Sequence, residues 1–301
     1  MNHHTLIIGT RTSQLAMWQT DYITALLQAV WPELECRTES FVTKGDKTLN
    51  QPLPQIGGKG LFTWELENAL RDGRIHLAVH SLKDLPVENA PGLTLGAIVG
   101  RADVRDVLIG LTLEDIPLDG VVGTSSLRRH AQLRRLRPDV AIRSIRGNVE
   151  TRIRKVTEGQ YDAAILAAAG VTRLGLEEHI AQYLPLAAML PAPGQGALAV
   201  QCRADDAQTL ELLAVIHNPN VATVVTAERA FLNGLGGGCA TPVAAYAELA
   251  NGELHLTGLV SALDGKRQIR VTGSGTDGRT LGLELAEEAL VRGAREILRH
   301  V

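Results

Sequence analysis

The sequence predicts an α/β protein with mainly parallel sheets, followed by a small C-terminal α+β domain with an antiparallel sheet. Short apolar runs alternate with segments of helical period, an order that places helices on the faces of a parallel sheet. Hydrophobic residues make up 45% of the 301 residues and aromatic residues only 3%, which indicates an aliphatic α/β core. Since single cores stop growing near ~250 residues, we expect more than one domain.

The strand and helix patterns form two successive α/β stretches. In the first stretch we predict strands at Leu6–Gly9, Arg37–Val42 and Ile75–Val79, and helices at Gln14–Val30 and Leu61–Arg71. The pattern then restarts, with strands at Val121–Gly123, Val140–Ile145 and Asp162–Ala167, and helices at Ser125–Leu136 and Asn148–Glu158. Each stretch is long enough to form one lobe with its own sheet.

The last third of the chain has a different pattern. A strand is predicted at Ala197–Gln201, helices at Ala207–Ile216, Val221–Leu232 and Leu281–Leu298, and strands at Val243–Glu248, Glu253–Ser261 and Arg267–Gly273. Asn251-Gly252 and Asp264-Gly265 are hairpin signals between those three strands. We therefore predict a first lobe of residues 1–98 completed by 197–216, a second lobe of 102–192 and a C-terminal domain of 219–301.

The net charge of −3 hides a basic stretch in the second lobe. From Arg128 to Lys155 there are nine arginines and one lysine against only Asp139 and Glu150. A guanidinium binds a carboxylate bidentately and keeps its charge, so repeated arginines favour a ligand with many carboxylates. Few aromatic residues, an acidic overall balance and the lack of a recognisable motif argue against nucleic acid. A solvated basic face is the plainer interpretation for Arg134, Arg135, Arg137 and Arg154.

Small hydroxyl residues follow the first strand of both lobes. Thr10, Arg11 and Ser13 occupy this junction in the first lobe, and Thr124 to Ser126 occupy it in the second. Helix N-termini attract anions through their backbone N–H groups and dipole, so two such lobes facing each other would form an anion-binding cleft. Ordinary helix capping is the alternative for either turn by itself.

Two further residues have a plain and a chemical interpretation. Asp84 follows a predicted strand and is either a turn carboxylate beside Lys83 or an acid–base and cation-stabilising group that faces a cleft. Cys239 ends the run Gly236-Gly237-Gly238 and is either a small buried hydrophobe or an accessible thiolate used for covalent chemistry.

Composition also limits the setting of the protein. Three widely spaced cysteines, Cys36, Cys202 and Cys239, give neither a disulfide framework nor a zinc pattern, so no metal site is predicted. The sequence shows no signal peptide and no apolar stretch of about 20 residues, so we expect a cytoplasmic protein without membrane attachment. The glycine-rich segment Gly57–Gly60 lacks the spacing of a phosphate loop and is interpreted as a lid.

Several blocks, in collinear order over nearly the whole chain, resemble the porphobilinogen deaminase (hydroxymethylbilane synthase) family of tetrapyrrole biosynthesis. They are Gly9-Thr10-Arg11, Thr43-Lys44-Gly45-Asp46, Gly57-Gly58-Lys59-Gly60-Leu61-Phe62, His80-Ser81-Leu82-Lys83-Asp84-Leu85-Pro86, Gly123-Thr124-Ser125-Ser126-Leu127-Arg128-Arg129, Arg146-Gly147-Asn148-Val149, Pro193-Gly194-Gln195-Gly196, Glu228-Arg229 and Gly237-Gly238-Cys239. The resemblance implies three domains, the first two like periplasmic binding proteins and the third carrying the cysteine loop.

The resemblance also implies an activity. A dipyrromethane cofactor joined by a thioether to Cys239 would prime the head-to-tail condensation of four porphobilinogen molecules, with loss of ammonia and hydrolytic release of hydroxymethylbilane. Asp84 would be the catalytic residue that stabilises the cationic methylene-pyrrole formed when ammonia leaves. The partner would be the small molecule porphobilinogen alone, with no nucleic acid and no membrane, and the chain would be a monomer.

The site residues follow from the same resemblance. Cofactor binding is assigned to Cys239, Ser81, Lys83, Thr124, Ser125, Ser126, Arg128, Arg129, Arg146 and Arg152. Substrate binding is assigned to Arg11, Ser13, Arg173 and Gln195. The chain departs from the family at Gln55, where many members have lysine, and at Gly236, where an acidic residue is common. The rivals to this reading are a carboxylate- or sulfate-binding module without catalysis and an RNA-binding protein.

Overall fold

The computed structural model describes residues 5–47, 63–238 and 241–299. Its strands are β1 Leu6–Arg11, β2 Cys36–Phe41, β3 Leu77–Ser81, β4 Leu93–Arg101, β5 Asp106–Gly110, β6 Val121–Gly123, β7 Ala141–Arg143, β8 Ala163–Ala167, β9 Ile180–Tyr183, β10 Ala197–Arg203, β11 Val243–Ala250, β12 Glu253–Ser261 and β13 Gln268–Gly275. Its helices are α1 Gln14–Val30, α2 Lys44–Lys47, α3 Trp64–Arg71, α4 Leu127–Leu136, α5 Val149–Thr157, α6 Ala168–Thr172, α7 Ala207–Ala214, α8 Pro219–Gly234, α9 Gly278–Val291 and α10 Ala294–Leu298.

The predicted fold class is confirmed in its sheets: two α/β units of secondary structure, each with a five-stranded sheet, and a small C-terminal antiparallel sheet. The first sheet has the strand order β2-β1-β3-β10-β4 and the second has the order β7-β6-β8-β5-β9. In each sheet three strands run parallel, while the next strand, β10 or β5, is antiparallel to both of its neighbours. The parallel part of each sheet is therefore three strands wide.

The chain divides into two compact units. It passes from the first unit to the second after Arg101, returns at Ala197 and leaves again after Ala222. The first unit holds β1–β4 and β10, while the second holds both the sheet of β5–β9 and the C-terminal sheet of β11–β13. The separate C-terminal domain predicted for 219–301 stays a prediction, as do the boundaries of the two lobes.

The core of the first unit is aliphatic. Ile8 of β1, Leu77 of β3 and Val200 of β10 are fully buried and pack with Ile23 and Leu27 of α1. The periodicity of α1 brings these two apolar side chains onto one face, and Ser13 caps the helix by accepting a hydrogen bond from the Ala16 N–H. Burial of this face fixes α1 on the sheet.

The C-terminal sheet agrees with its hairpin signals. Asn251 and Gly252 have φ angles of 53° and 81°, the left-handed values that a tight two-residue hairpin requires. Gly258 of β12 has no side chain because a Cβ there would lie 2.4 Å from the Phe231 ring of α8. The single C-terminal helix predicted over Leu281–Leu298 is instead two helices, interrupted at Gly293 with a φ of 98°.

Candidate active site

The carboxyl ends of β1 and β3 meet at one edge of the first sheet because the two strands are parallel neighbours. Arg11 is the last residue of β1 and Ser81 is the last residue of β3. A 3₁₀ turn of Leu82–Asp84 follows directly and leaves the Asp84 side chain exposed and the Lys83 side chain half-buried. Open α/β sheets bind ligands at this edge, so the fold favours the predicted location of the chemistry.

A cavity of about 50 Å³ opens at this edge. Its lining includes four predicted site residues: Arg11, Ser13, Ser81 and Asp84. Gln19 of α1 also lines it and donates a hydrogen bond of 2.8 Å from Nε2 to Oγ of Ser81. The volume admits ordered water or one small polar group, and the lining offers donors together with one carboxylate.

Arg11 has a carboxylate partner that the sequence analysis did not assign to it. Its guanidinium pairs with Asp46, whose Oδ2 also accepts hydrogen bonds from the Thr43 hydroxyl at 2.7 Å and the Thr43 N–H at 3.1 Å. Burial would raise the pKa of Asp46, but the hydrogen bonds from Arg11 and Thr43 hold it below its ordinary value. The block Thr43-Lys44-Gly45-Asp46 therefore orients the Arg11 side chain.

His80 lies in the wall of the same cavity and is only 6% exposed. Burial first, and then the positive charge of Arg11, lower the pKa of His80 from 6.5 to about 4. His80 is therefore neutral at physiological pH. Among the described residues that line the cavity, Asp84 is then the one acidic side chain.

We expect His80 to make stability depend on pH. Between pH 6.5 and about 4 the unfolded chain binds the His80 proton and the folded chain does not. The contribution of His80 is thus complete above pH 6.5 and is lost as the pH falls to about 4, by about 3 kcal/mol. The urea concentrations at the midpoint of unfolding at pH 7 and at pH 4.5 should differ less in His80→Gln than in the unsubstituted chain. His255→Gln, at an exposed histidine, is the control, and an unchanged pH dependence in His80→Gln would contradict the assignment.

The second sheet carries the predicted hydroxyl residues at the end of β6. Ser126 caps α4 by accepting a hydrogen bond of 3.5 Å from the Arg129 N–H. Ser125 Oγ lies 2.8 Å from Ser144 Oγ and donates to the Ile145 carbonyl at 2.8 Å, while Thr124 is buried. The expected helix N-terminus with clustered hydroxyl groups is thus present in the second unit.

Arg128 and Arg129 lie in the first turn of α4 and are buried against a carboxylate that the sequence analysis missed, Asp106. Arg128 Nη1 lies 2.7 Å from Oδ2 of Asp106, and Arg129 donates to Oδ1 from Nη2 at 2.8 Å and from Nε at 3.2 Å. Burial would raise the pKa of Asp106, but the two arginine charges hold it well below its usual range. The carboxylate is therefore ionised.

Three more predicted residues of the second unit donate hydrogen bonds to backbone carbonyl groups. Arg152 Nε donates to the Gly147 carbonyl at 2.8 Å, and Arg173 Nη2 donates to the Gly196 carbonyl at 2.7 Å. Gln195 is fully buried, with Nε2 donating to Val104 O at 2.7 Å and to Asp106 at 2.9 Å. Arg146 is half-buried, and burial lowers its pKa. Their ligand roles stay predictions.

Glu228 of α8 is a second buried carboxylate that received no role of its own from the sequence. Its Oε2 accepts a hydrogen bond of 2.7 Å from the Gly194 N–H, and its Oε1 accepts one of 2.8 Å from the Ala247 N–H. The side chain thus ties the Pro193–Gly196 segment to β11. Its presence in the motif Glu228-Arg229 was the only sequence signal for this role.

Two parts of the predicted site lie outside the described residues. They are Cys239 and the segment that contains Gln55 and Gly57–Gly60. The predictions of a thioether anchor and of a lid therefore rest on the sequence alone. The described residues 5–47, 63–238 and 241–299 contain no group of acidic, histidine or cysteine side chains suited to a metal ion.

The donors present fit a cofactor that bears carboxylates. Within the described part of the chain, Nε of Arg128 is buried and has no hydrogen-bond partner. A buried donor of this kind is costly unless an acceptor reaches it, and a ligand carboxylate is an acceptor of the right charge. In each unit, hydroxyl and guanidinium groups follow the ends of parallel strands, and such donors are of the class that suits carboxylated ligands.

The chain belongs to the porphobilinogen deaminase family. A family model described as porphobilinogen deaminase, dipyromethane cofactor binding domain, matches residues 6–211, and a second, for the C-terminal domain of porphobilinogen deaminase, matches residues 222–291. These two matches agree with the resemblance found in the sequence motifs.

Curated relatives match along nearly the whole chain. The porphobilinogen deaminase of Brevibacillus brevis is 48% identical over 98% of this chain and 96% of its own length. The porphobilinogen deaminase of Roseiflexus castenholzii is 50% identical over 98% of this chain and 99% of its own length. Among solved structures, the periplasmic VFT2 domain of Bordetella pertussis BvgS aligns with 75% of this chain and 94% of its own, at 16% identity and a TM-score of 0.42. Within the residues described, no helix is long and apolar enough to span a membrane.

Proposed function

We propose that this chain is a hydroxymethylbilane synthase, a transferase of porphyrin and heme biosynthesis. It condenses four porphobilinogen molecules head to tail onto a covalently bound dipyrromethane primer, releases ammonia at each addition and frees hydroxymethylbilane by hydrolysis. The observation that carries the proposal is the cavity that brings Asp84 together with Arg11, Ser13 and Ser81 in a chain of this family. Incubation with porphobilinogen should release four ammonia molecules per product, and no ammonia release would overturn the proposal.

The cofactor is assigned to residues of both units. Cys239 anchors it, while Ser81, Lys83 and the donors around the N-terminus of α4 hold its carboxylates. A dipyrromethane joined to Cys239 supplies the primer to which substrate units are added. The buried Nε of Arg128 supports this assignment because it has no hydrogen-bond partner among the described residues, and a carboxylate of the cofactor would accept its hydrogen bond. Intact-protein mass should show two pyrrole units on the purified chain.

Asp84 acts on the substrate through its charge. When the protonated amino group of porphobilinogen leaves as ammonia, the remaining methylene-pyrrole is a cation, and an adjacent carboxylate lowers its free energy. The same carboxylate takes and returns the protons of the amine and the pyrrole nitrogen. Neutral His80 in the cavity wall adds no positive charge that would oppose this stabilisation.

The acetate and propionate groups of each pyrrole ring are bound by hydroxyl and guanidinium donors. We assign this role in the substrate to Arg11, Ser13, Arg173 and Gln195. Asp46 fixes the Arg11 side chain, which limits the entropy lost when a carboxylate binds. Guanidinium groups suit this task because two parallel hydrogen bonds orient the ring as well as hold it.

We also propose the boundaries of the three domains. The first lobe comprises residues 1–98 together with 197–216, and the second lobe comprises 102–192. The cofactor-carrying domain comprises 219–301, and the two five-stranded sheets and the C-terminal sheet support this division.

We propose that the enzyme works in the cytoplasm as a monomer, without nucleic acid. Light scattering tests the monomer, and filter binding tests RNA.

A binding protein without catalysis is the rival function. It would bind carboxylates at the same strand ends but would have no use for a covalently loaded thiol. The mass of the purified chain separates the two functions, since only the synthase carries pyrrole units on Cys239. A folded and active chain of unmodified mass would contradict the cofactor assignment.

We expect Arg146→Leu to impair cofactor assembly or early elongation. A ligand carboxylate would lose a bidentate partner, at a cost of about 2–5 kcal/mol. The loaded fraction from intact mass and the rates of the first additions measure the effect. Arg154→Leu, at an exposed arginine of α5 that pairs with Glu158, is the control and should leave both unchanged. Normal loading and elongation in Arg146→Leu would refute the assignment.

A further inference from the structure

One carboxylate gathers three of the predicted ligand-binding residues of the second unit. Asp106 is the first residue of β5 and is completely buried. Its Oδ1 accepts hydrogen bonds from Arg129 at 2.8 and 3.2 Å and from Gln195 Nε2 at 2.9 Å. Its Oδ2 lies 2.7 Å from Nη1 of Arg128. Residues far apart in the chain thus meet on this side chain.

The arginine side chains are fixed by these contacts and by carbonyl groups. Arg128 Nη1 also donates to Leu190 O at 2.7 Å, and Arg129 Nη1 donates to Ile165 O at 2.9 Å. Each guanidinium is therefore held by the Asp106 carboxylate on one side and a backbone carbonyl on another. A side chain held in this way does not lose further conformational entropy when a ligand binds.

The charges of this cluster do not cancel. Two guanidinium groups face one carboxylate, and the side chains of Arg128, Arg129 and Asp106 are 4%, 7% and 0% exposed. A buried excess positive charge is costly in the absence of an anion. Nε of Arg128 is in addition a buried donor with no partner in the described part of the chain. Both facts call for one further anionic acceptor at the cluster.

We infer that Asp106 is the positioning residue of the cofactor site: its carboxylate sets the spacing of the Arg128 and Arg129 guanidinium groups and leaves one net positive charge to receive one ligand carboxylate. The inference rests on the proposed function, because it takes the pyrrole cofactor as the source of that carboxylate. Asp106 itself does not touch the reacting atoms.

Three variants of the full-length chain test this inference. Asp106→Asn removes the charge, Asp106→Glu keeps the charge but moves the carboxylate by one methylene, and Asp103→Asn breaks a partly exposed ion pair with Arg105 nearby in the chain. Each purified chain is fractionated by size exclusion, and its folding is checked by far-UV circular dichroism. Intact mass then gives the fraction that carries two pyrrole units, and induced circular dichroism of the pyrrole absorption reports how rigidly they are held.

We expect both Asp106 variants to yield folded chain with a loaded fraction lower by roughly tenfold or more, and any loaded chain to lose its induced signal. Asp103→Asn should match the unsubstituted chain. A folded Asp106→Asn or Asp106→Glu that loads normally with an unchanged signal overturns the inference, as does failure of both variants to fold, since the carboxylate would then serve the fold alone. If the unsubstituted chain carries no pyrrole units, the proposed function itself fails.

Discussion

We expect Asp84→Asn to keep the cofactor and lose turnover by roughly 10²–10³-fold, the range seen when a preorganised electrostatic group is removed. The amide is nearly isosteric with the carboxylate but cannot balance a cation. It also cannot take up and return protons as a carboxylate does. Asp84 is exposed on a 3₁₀ turn, so the substitution leaves the hydrophobic core untouched.

The measurements separate chemistry from assembly. Intact mass should show the two pyrrole units on Asp84→Asn, while the rate of porphobilinogen consumption per loaded chain should fall. Asp72→Asn, at an exposed aspartate after α3 in the same unit, is the matched control and should consume porphobilinogen at the normal rate. Near-normal turnover in Asp84→Asn would remove this carboxylate from the mechanism.

Elements with a local signal were predictable. The bounds of α1 agree with the prediction at both ends because Ser13 caps the helix and the apolar residues follow its period. β12 also agrees at both ends, since the Asn251-Gly252 turn fixes where its hairpin begins. These signals lie within a few residues of the element they define.

Elements defined by distant partners were not predictable. β4, β5 and β9 were missed, and the antiparallel insertion of β10 between β3 and β4 depends on strands about a hundred residues away in the chain. Hydrophobic periodicity gives the period of a strand but not its neighbour or its direction. The order of each sheet therefore came from the structure.

The residues of the candidate site also differ in how far they could be predicted from local sequence signals. The first-unit residues Arg11, Ser13, Ser81 and Asp84 are brought to one cavity by adjacent parallel strands, as the motif positions suggested. Asp106 was missed because its partner Gln195 is 89 residues away, and nothing near Asp106 in the sequence indicates a buried carboxylate. The predicted role of Cys239 as the cofactor anchor rests on the order of the sequence motifs alone.

We expect Glu228→Leu to lower the free energy of unfolding by about 4 kcal/mol, because two N–H groups lose a charged acceptor worth about 1.5–3 kcal/mol each. The side chain is 0% exposed, so water does not replace it. Glu228→Gln should cost about half as much, since its amide oxygen can still accept from the Gly194 or the Ala247 N–H but not from both. Urea and thermal unfolding measure these effects.

Glu284→Gln, at an exposed glutamate of α9, is the control for loss of a negative charge and should stay within about 0.5 kcal/mol of the unsubstituted chain. Equal stability of all three variants would show that the two hydrogen bonds contribute nothing net. The Gly194 N–H precedes Gln195, whose amide donates to Asp106. Loss of the Glu228 carboxylate should therefore also lower cofactor loading, which links the stability of the second unit to the arrangement of its arginines.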